Sequence, residues 1–392
     1  MEVVEVVLVG TGGDAGWPEP GCRCASCASA RAAGRTRAPA AVRLDGHPLG
    51  PGLGRPGDCL HVGPHRVRLH TAARPGRLCY AVTGADGVRL LYAPSGVDLG
   101  PYADPVAIDP AAGDAYEVVL LGPDRDGLRS VAHGLAALRE RGAVTAETDV
   151  VVVGLSHHDP PASELGRLLT AWGARTVPDG TAVQVRVRTP GLVPDHADSS
   201  DPANTPRSGL WGRTLVLGGA RSGKSAYAED LLRAEPHVTY LATGGARTQD
   251  AEWVDRVAAH RRRRPYGWTT VESLDAAAVL ASACHPVLVD CLGTWLTGCM
   301  DQYGAWDDPR ARPAVHAELA RLVATWRALR VPVVAVSNEV GSGVVPATAS
   351  GRLFRDLLGR LNAQIAAQSE TVLLTVAGLT VPLRGHDVLG PR

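Results

Sequence analysis

Residues 218–225 read Gly-Gly-Ala-Arg-Ser-Gly-Lys-Ser and fit G-x-x-x-x-G-K-[ST], the spacing of a phosphate-cradling loop. Lys224 is the only lysine of the chain, although Lys and Arg together number 40. A chain that writes every other basic position as arginine keeps one compact ammonium here, where a planar guanidinium fork would not suit the end of a triphosphate. Gly218, Gly219, Ala220, Arg221, Ser222 and Gly223 would offer backbone N–H groups to phosphate oxygens, with a helix N-terminus adding a favourable dipole. Ser225 would place its hydroxyl on Mg²⁺, and Asp290, closing the apolar run "PVLVD", is the candidate second metal ligand. A carboxylate at a strand end can also be a plain helix cap, so its role leans on the loop. A second stretch, residues 250–273, carries His260 followed by Arg261, Arg262, Arg263 and Arg264, with Glu272 twelve positions after the histidine. Taken alone, such a run is most simply a solvated surface with a structural histidine.

These residues need a frame. Runs such as "RTLVLGG", "HVTYLATGG", "HPVLVDCLG", "VPVVAVSNEVG" and "TVLLTVAG" have strand length and are apolar on both faces, with helical spacings mostly between them. Val315, Leu319, Leu322, Val323, Trp326 and Leu329 draw one apolar stripe on a helix. Strands alternating with helices predict a P-loop NTPase-type, mostly parallel α/β sheet with helices on both faces, and ligands at its carboxyl edge. Ala242, Thr243 and Gly244 fall at that edge, as does Asn338-Glu339-Val340-Gly341, which either positions substrate or closes a tight turn through local backbone bonds. An Asn-Lys-x-Asp guanine reader needs a second lysine, which weakens a GTPase-type switch.

Residues 191–211 are rich in Pro, Asp and Ser and lack periodicity, so the sequence predicts domains at 1–190 and 212–392 joined by a linker. Acidic and basic residues balance at 40 each, which points to neither nucleic acid nor an anionic membrane. No apolar run reaches the length of a membrane span, the N-terminus lacks a basic leader region, and a cytoplasmic location is expected.

The segments "GGARSGKS", "YLATGG", "RVAAHRRRRPYGWTTVE", "LVDCLGTWLT", "VSNEVGSGVVP" and "GRLFRDLLGRLNAQIAAQSETVLLTVAG" occur in this order over residues 212–383. Together they resemble the bifunctional adenosylcobinamide kinase/adenosylcobinamide-phosphate guanylyltransferase family. The resemblance implies a guanylylated histidine at His260 and nucleotide contacts at Ala242, Thr243, Gly244 and Glu272, with Arg261–Arg264 neutralising polyphosphate. It also implies ATP or GTP with Mg²⁺, adenosylcobinamide and its phosphate as substrates, and a homotrimer. A P-loop small-molecule kinase lacking the transferase step and a nucleotide-dependent regulatory module are the alternatives; the first forms no covalent GMP and the second no product.

The first half, with "VLVGTGGDAGWPEPGCRCASCASAR", "LLYAPSG" and "VVVGLSHHDPP", resembles metallo-β-lactamase-fold hydrolases of the phosphodiesterase type, which implies an αββα domain. The H-x-H-x-D-H run that gathers two metals in active members is missing, Ser95 stands where a bridging Asp is expected, and His157 and His158 remain alone. A non-hydrolytic structural or partner-binding domain is expected. Cys22, Cys24 and Cys27 are either free thiols in a turn or three ligands of a structural zinc, with His61, His65 or His70 as the fourth.

Overall fold

Valine and leucine on both faces of short runs, interrupted by glycine, force strands to lie buried inside a layered core. The computed structural model describes residues 4–71, 77–84, 87–94, 115–124, 126–185, 212–244, 264–265 and 267–385. The linker expected at 191–211, Ser95, His260 and Arg261–Arg263 lie outside them. The chain divides into units Met1–Gly209 and Leu210–Arg392.

In the first unit, β1 (Val4–Gly10), β2 (Ala41–Leu44), β3 (His47–Leu49) and β11 (Thr181–Val185) form an antiparallel sheet in the order β11-β1-β2-β3. A seven-stranded sheet runs β10 (Ala174–Arg175), β9 (Asp149–Val152), β8 (Val118–Leu121), β7 (Arg89–Ala93), β6 (Leu78–Thr83), β5 (His65–Thr71) and β4 (Cys59–Val62). Val6, Leu8 and Leu44 of one sheet share a core with Leu69, Tyr80, Leu90 and Leu120 of the other, so the sheets pack face to face. Helices α1 (Ala25–Ala32), α2 (Leu128–Glu140) and α3 (Ala162–Ala171) complete the α/β sandwich. The alternation of β1, buried at Val4, Val6, Leu8 and Gly10 and more open between them, marks its single core face.

The second unit is one sheet in the order β14-β13-β15-β16-β12-β17-β18, built from β12 (Arg213–Gly218), β13 (Thr239–Ala242), β14 (Thr269–Glu272), β15 (Val287–Asp290), β16 (Val333–Asn338), β17 (Thr371–Val376) and β18 (Leu379–Arg384). All neighbours are parallel except β18, which returns antiparallel to β17. Helices α4 (Lys224–Leu232), α5 (Ala276–Ala281), α6 (Leu292–Tyr303), α7 (Arg312–Ala328) and α8 (Ala349–Ala367) connect the strands. Val315, Leu319, Leu322 and Trp326 of α7 are buried, while Val323 is only partly covered and Leu329 caps the helix end. Trp326 is fully buried and its Nε1–H donates to Ser369 Oγ at 3.2 Å. Val323 and Leu329 also pack against this core, so the whole apolar stripe read from the sequence faces it.

Glu370 ties the first strand to this frame. Its carboxylate accepts the Arg213 backbone N–H at 2.6 Å and pairs with the Arg213 guanidinium, whose Nη1 also donates to the Arg327 carbonyl at the end of α7. The guanidinium beside it lowers the Glu370 pKa to about 2. A depressed carboxylate contributes stability above its unfolded value near ~4.3 and loses it as pH falls toward the folded value. Glu370→Gln is expected to cost less than about 1 kcal/mol at neutral pH, because the carboxylate is half-exposed. Urea unfolding followed by tryptophan fluorescence should show that gap narrowing from about pH 5 toward about pH 3.

Candidate functional site

Parallel strands end together, and here the register aligns the ends. Glu272 lies beside Ala242, Ala242 beside Asp290, Asp290 beside Val336, and Asn338 beside Gly218. The loop after β12 starts at Gly218, where a Cβ would lie 2.5 Å from Ser222 Oγ and 2.6 Å from the Thr375 carbonyl, so only glycine fits. Arg221 (φ 55°) and Gly223 (φ 97°) turn the backbone back toward α4. The β17–β18 hairpin braces this loop, since Gly378 N–H donates to the Ser222 carbonyl at 2.9 Å.

Lys224 opens α4 and is 8 % exposed, with Nζ donating to the Gly219 carbonyl at 3.0 Å across the loop. The Ser222 hydroxyl is buried and has no hydrogen-bond partner among the described residues, a donor left over inside a phosphate-shaped loop. Ser225 Oγ donates to Asp290 Oδ1 at 3.3 Å, which brings the two expected Mg²⁺ ligands together. A hydroxyl and a carboxylate so placed at the loop mouth suit a hard, oxygen-seeking cation.

The fold brings Tyr240, Arg264 and Cys291 together at this edge. Tyr240 is 2 % exposed and its hydroxyl donates to Asp290 Oδ2 at 2.5 Å. Burial, then the neighbouring Asp290 charge, pushes the phenol pKa well up, so it stays a donor. The Arg264 guanidinium sits 3.2 Å from the Tyr240 ring centroid and donates through Nη1 to Thr270 Oγ1 at 2.7 Å. Cys291 caps α6, its sulfur accepting Thr294 N–H at 3.4 Å, which points the helix start at the same edge. The signal for Tyr240 was present: a polar-tipped aromatic inside an apolar parallel strand needs a partner for its hydroxyl.

The other expected positions divide. Glu272, at the end of β14, is exposed, and Ala242 and Gly244 flank it at the strand ends. The Thr243 hydroxyl donates to the Cys291 carbonyl at 2.7 Å and lies 2.8 Å from Thr294 Oγ1, so this side chain locks β13 to the start of α6. Glu339 spends its carboxylate on the Gly341 N–H at 2.7 Å, the tight-turn alternative, while its own N–H donates to the Gly218 carbonyl at 3.1 Å. Asn338 is held through its carbonyl by Asn362 Nδ2 at 3.0 Å.

In the first unit, Cys22, Cys27 and His157 bring ligand atoms within 4.8 Å of one another. Cys24 caps α1, its sulfur accepting Cys27 N–H at 3.4 Å; that bond, with further bonds to Cys22 and Cys27, lowers the Cys24 pKa. The expectation of His61, His65 or His70 as fourth ligand is corrected. His65 is buried against Asp45, with Nε2 2.6 Å from Oδ2, and His61 lies on the outward side of β4, whereas the loop after β9 carries His157 to the cysteines. His157 Nδ1 lies 3.0 Å from Glu19 Oε2 but without hydrogen-bond geometry. A separate cavity of about 920 Å³ is lined by Asp14, Arg77, Tyr80, Tyr92, Asp124 and Ser156 among others, with no histidine or cysteine in its lining among the described residues.

Residues 214–383 match the family model described as cobinamide kinase / cobinamide phosphate guanyltransferase. The bifunctional adenosylcobalamin biosynthesis protein CobU of Escherichia coli (strain K12) is 39 % identical over 180 residues, 43 % of this chain and 98 % of that protein. The chain belongs to this family. CobP of Pseudomonas aeruginosa, also a bifunctional adenosylcobalamin biosynthesis protein, is 43 % identical over 181 residues, 45 % of this chain and 99 % of its own length. Both relatives are thus matched nearly end to end by less than half of this chain, so the kinase/guanyltransferase family is joined here to a further unit. Among solved structures, the metallo-β-lactamase fold protein YhfI of Bacillus subtilis covers 47 % of this chain and all of itself at 10 % identity and a TM-score of 0.31. No helix among the described residues is long and apolar enough to cross a membrane.

Proposed function

We propose that the second unit phosphorylates adenosylcobinamide with ATP or GTP and then guanylylates the product through His260. The observation that carries this reading is the meeting of Lys224, Ser225 and Asp290 at the carboxyl edge of the sheet, within a stretch that matches the family. In the first reaction the loop amides and Lys224 hold the β- and γ-phosphates while the substrate hydroxyl oxygen attacks the γ-phosphorus, the bond to the β,γ-bridging oxygen breaks, the nucleoside diphosphate leaves and the hydroxyl proton passes to solvent. Bound at Ser225 and Asp290, Mg²⁺ would neutralise charge developing on the phosphate oxygens. In the second, a neutral imidazole nitrogen of His260 attacks the α-phosphorus of GTP, the bond to the bridging oxygen breaks, and pyrophosphate leaves. A phosphate oxygen of adenosylcobinamide phosphate then displaces the histidine, giving adenosylcobinamide-GDP and restoring the imidazole. Arg261–Arg264 supply guanidinium groups for the polyphosphate, and Glu272, Ala242, Thr243 and Gly244 the nucleotide edge of the site. The test is a two-step assay on the full chain. Adenosylcobinamide with ATP and Mg²⁺ should give its phosphate, and added GTP should convert that to adenosylcobinamide-GDP; a chain that stops at the phosphate is a kinase alone.

For the first unit we propose a zinc-stabilised, non-hydrolytic domain, with the clustered Cys22, Cys27 and His157 as ligands and Cys24, on the same turn, as the fourth. The convergence of sulfur and imidazole suits tetrahedral zinc, and the non-hydrolytic reading rests on the missing H-x-H-x-D-H run. Elemental analysis of the purified chain should find one zinc per chain, lost in Cys27→Ser and reduced in His157→Ala. Zinc content unchanged in both variants would remove this site.

A further inference from the structure

We propose that Tyr240 is a positioning residue shared by the two reactions: its hydroxyl fixes the Asp290 carboxylate and its ring fixes Arg264. The inference rests on reading Asp290 as the metal carboxylate and Arg264 as part of the guanylyl-transfer segment. Tyr240 stands opposite Leu288 in the β13–β15 register, two positions before Asp290, so its side chain runs along the sheet toward the carboxylate. The 2.5 Å bond from its hydroxyl engages Oδ2 and leaves Oδ1 facing Ser225 Oγ at 3.3 Å. A carboxylate held by one oxygen cannot rotate freely about its Cβ–Cγ bond, so the other oxygen is kept toward the loop. Phenylalanine would fill the same buried space, and the hydroxyl is the only part of the side chain the carboxylate uses.

The ring face serves the second reaction. Arg264 stacks on it with the guanidinium carbon 3.2 Å from the centroid, and Thr270 Oγ1 holds one terminal nitrogen. Arg264 Nε is buried and has no hydrogen-bond partner among the described residues, a donor available to a phosphate oxygen. Arg264 lies four residues after His260 in the same segment. One side chain therefore touches the metal carboxylate of phosphoryl transfer with its edge and the last arginine of the nucleophile segment with its face.

The two faces can be separated by substitution. Mn²⁺ binding to the full chain with a non-hydrolysable ATP analogue, followed by electron paramagnetic resonance, reads the carboxylate without turnover. Tyr240→Phe should weaken Mn²⁺ about tenfold, the loss of one hydrogen bond to a charged group, yet form the GMP adduct at near-normal rate once metal is saturating. Tyr240→Leu should show the same metal defect and, at saturating metal, form the adduct about tenfold more slowly, because the stack is gone. Asp290→Asn is the control. If it shifts Mn²⁺ binding and Tyr240→Phe does not, the positioning role is wrong; if Asp290→Asn shifts nothing, the metal-carboxylate reading itself fails. Equal loss of adduct formation in Tyr240→Phe and Tyr240→Leu at saturating metal would overturn the separate role of the ring.

Discussion

Lys224→Ala is expected to abolish phosphorylation of adenosylcobinamide, by about 10³-fold or more, and to weaken triphosphate binding severely. The ammonium is almost completely enclosed and lies over the loop within 3.0 Å of the Gly219 carbonyl, so a γ-phosphate entering the loop would take over that donor. Removing one preorganised donor from a charge-stabilising site costs on the order of 10²–10³ in rate, and here the donor also carries a full positive charge. Lys224→Arg should be nearly as poor. A guanidinium is broader than an ammonium, and it delivers its charge through a fork rather than a point. Steady-state kinetics with ATP and calorimetric binding of a non-hydrolysable analogue check both effects. Phosphorylation within a few-fold of the parent enzyme in either variant would remove the assigned role.

His260→Ala is expected to separate the two chemistries. It deletes the nucleophile of the transferase step and leaves the loop, Ser225 and Asp290 untouched, so formation of adenosylcobinamide-GDP should stop while phosphorylation stays within about threefold of normal. Adduct formation by the unaltered enzyme should also decline at acid pH, because only the neutral imidazole has a lone pair to offer phosphorus. Loss of both activities in a folded, nucleotide-binding His260→Ala chain would place the nucleophile elsewhere.

What the sequence made legible was local. The phosphate loop is a contiguous eight-residue pattern whose glycines, lysine and serine each have one physical task, and the Val/Leu runs announce parallel strands because both of their faces must be buried. Asp290 could be inferred because it ends such a run. Tyr240 was not inferred, since its partner is fifty residues away and only the β13–β15 register sets the two side by side. The candidate metal cluster of the first unit shows the same limit. Cys22, Cys24 and Cys27 sit within one turn of chain, but the histidine that joins them comes from the loop after β9, and nothing in its neighbourhood distinguishes His157 from His61 or His65. The Asn338-Glu339-Val340-Gly341 segment reads slightly more as site than as turn, because this end of the sheet carries the other motifs, yet Gly341 N–H donates to the Glu339 carboxylate, the tight-turn contact.

The central claim is covalent guanylylation of one named histidine. Incubating the full chain with Mg²⁺ and GTP labelled at the α-phosphate, followed by intact-mass measurement and peptide mapping under alkaline conditions that preserve phosphoramidates, tests it directly. The account predicts one acid-labile GMP per chain, carried by the peptide containing His260 and discharged when adenosylcobinamide phosphate is added. An adduct mapped to any other residue, or no adduct from a preparation that phosphorylates adenosylcobinamide and still forms adenosylcobinamide-GDP, would contradict it.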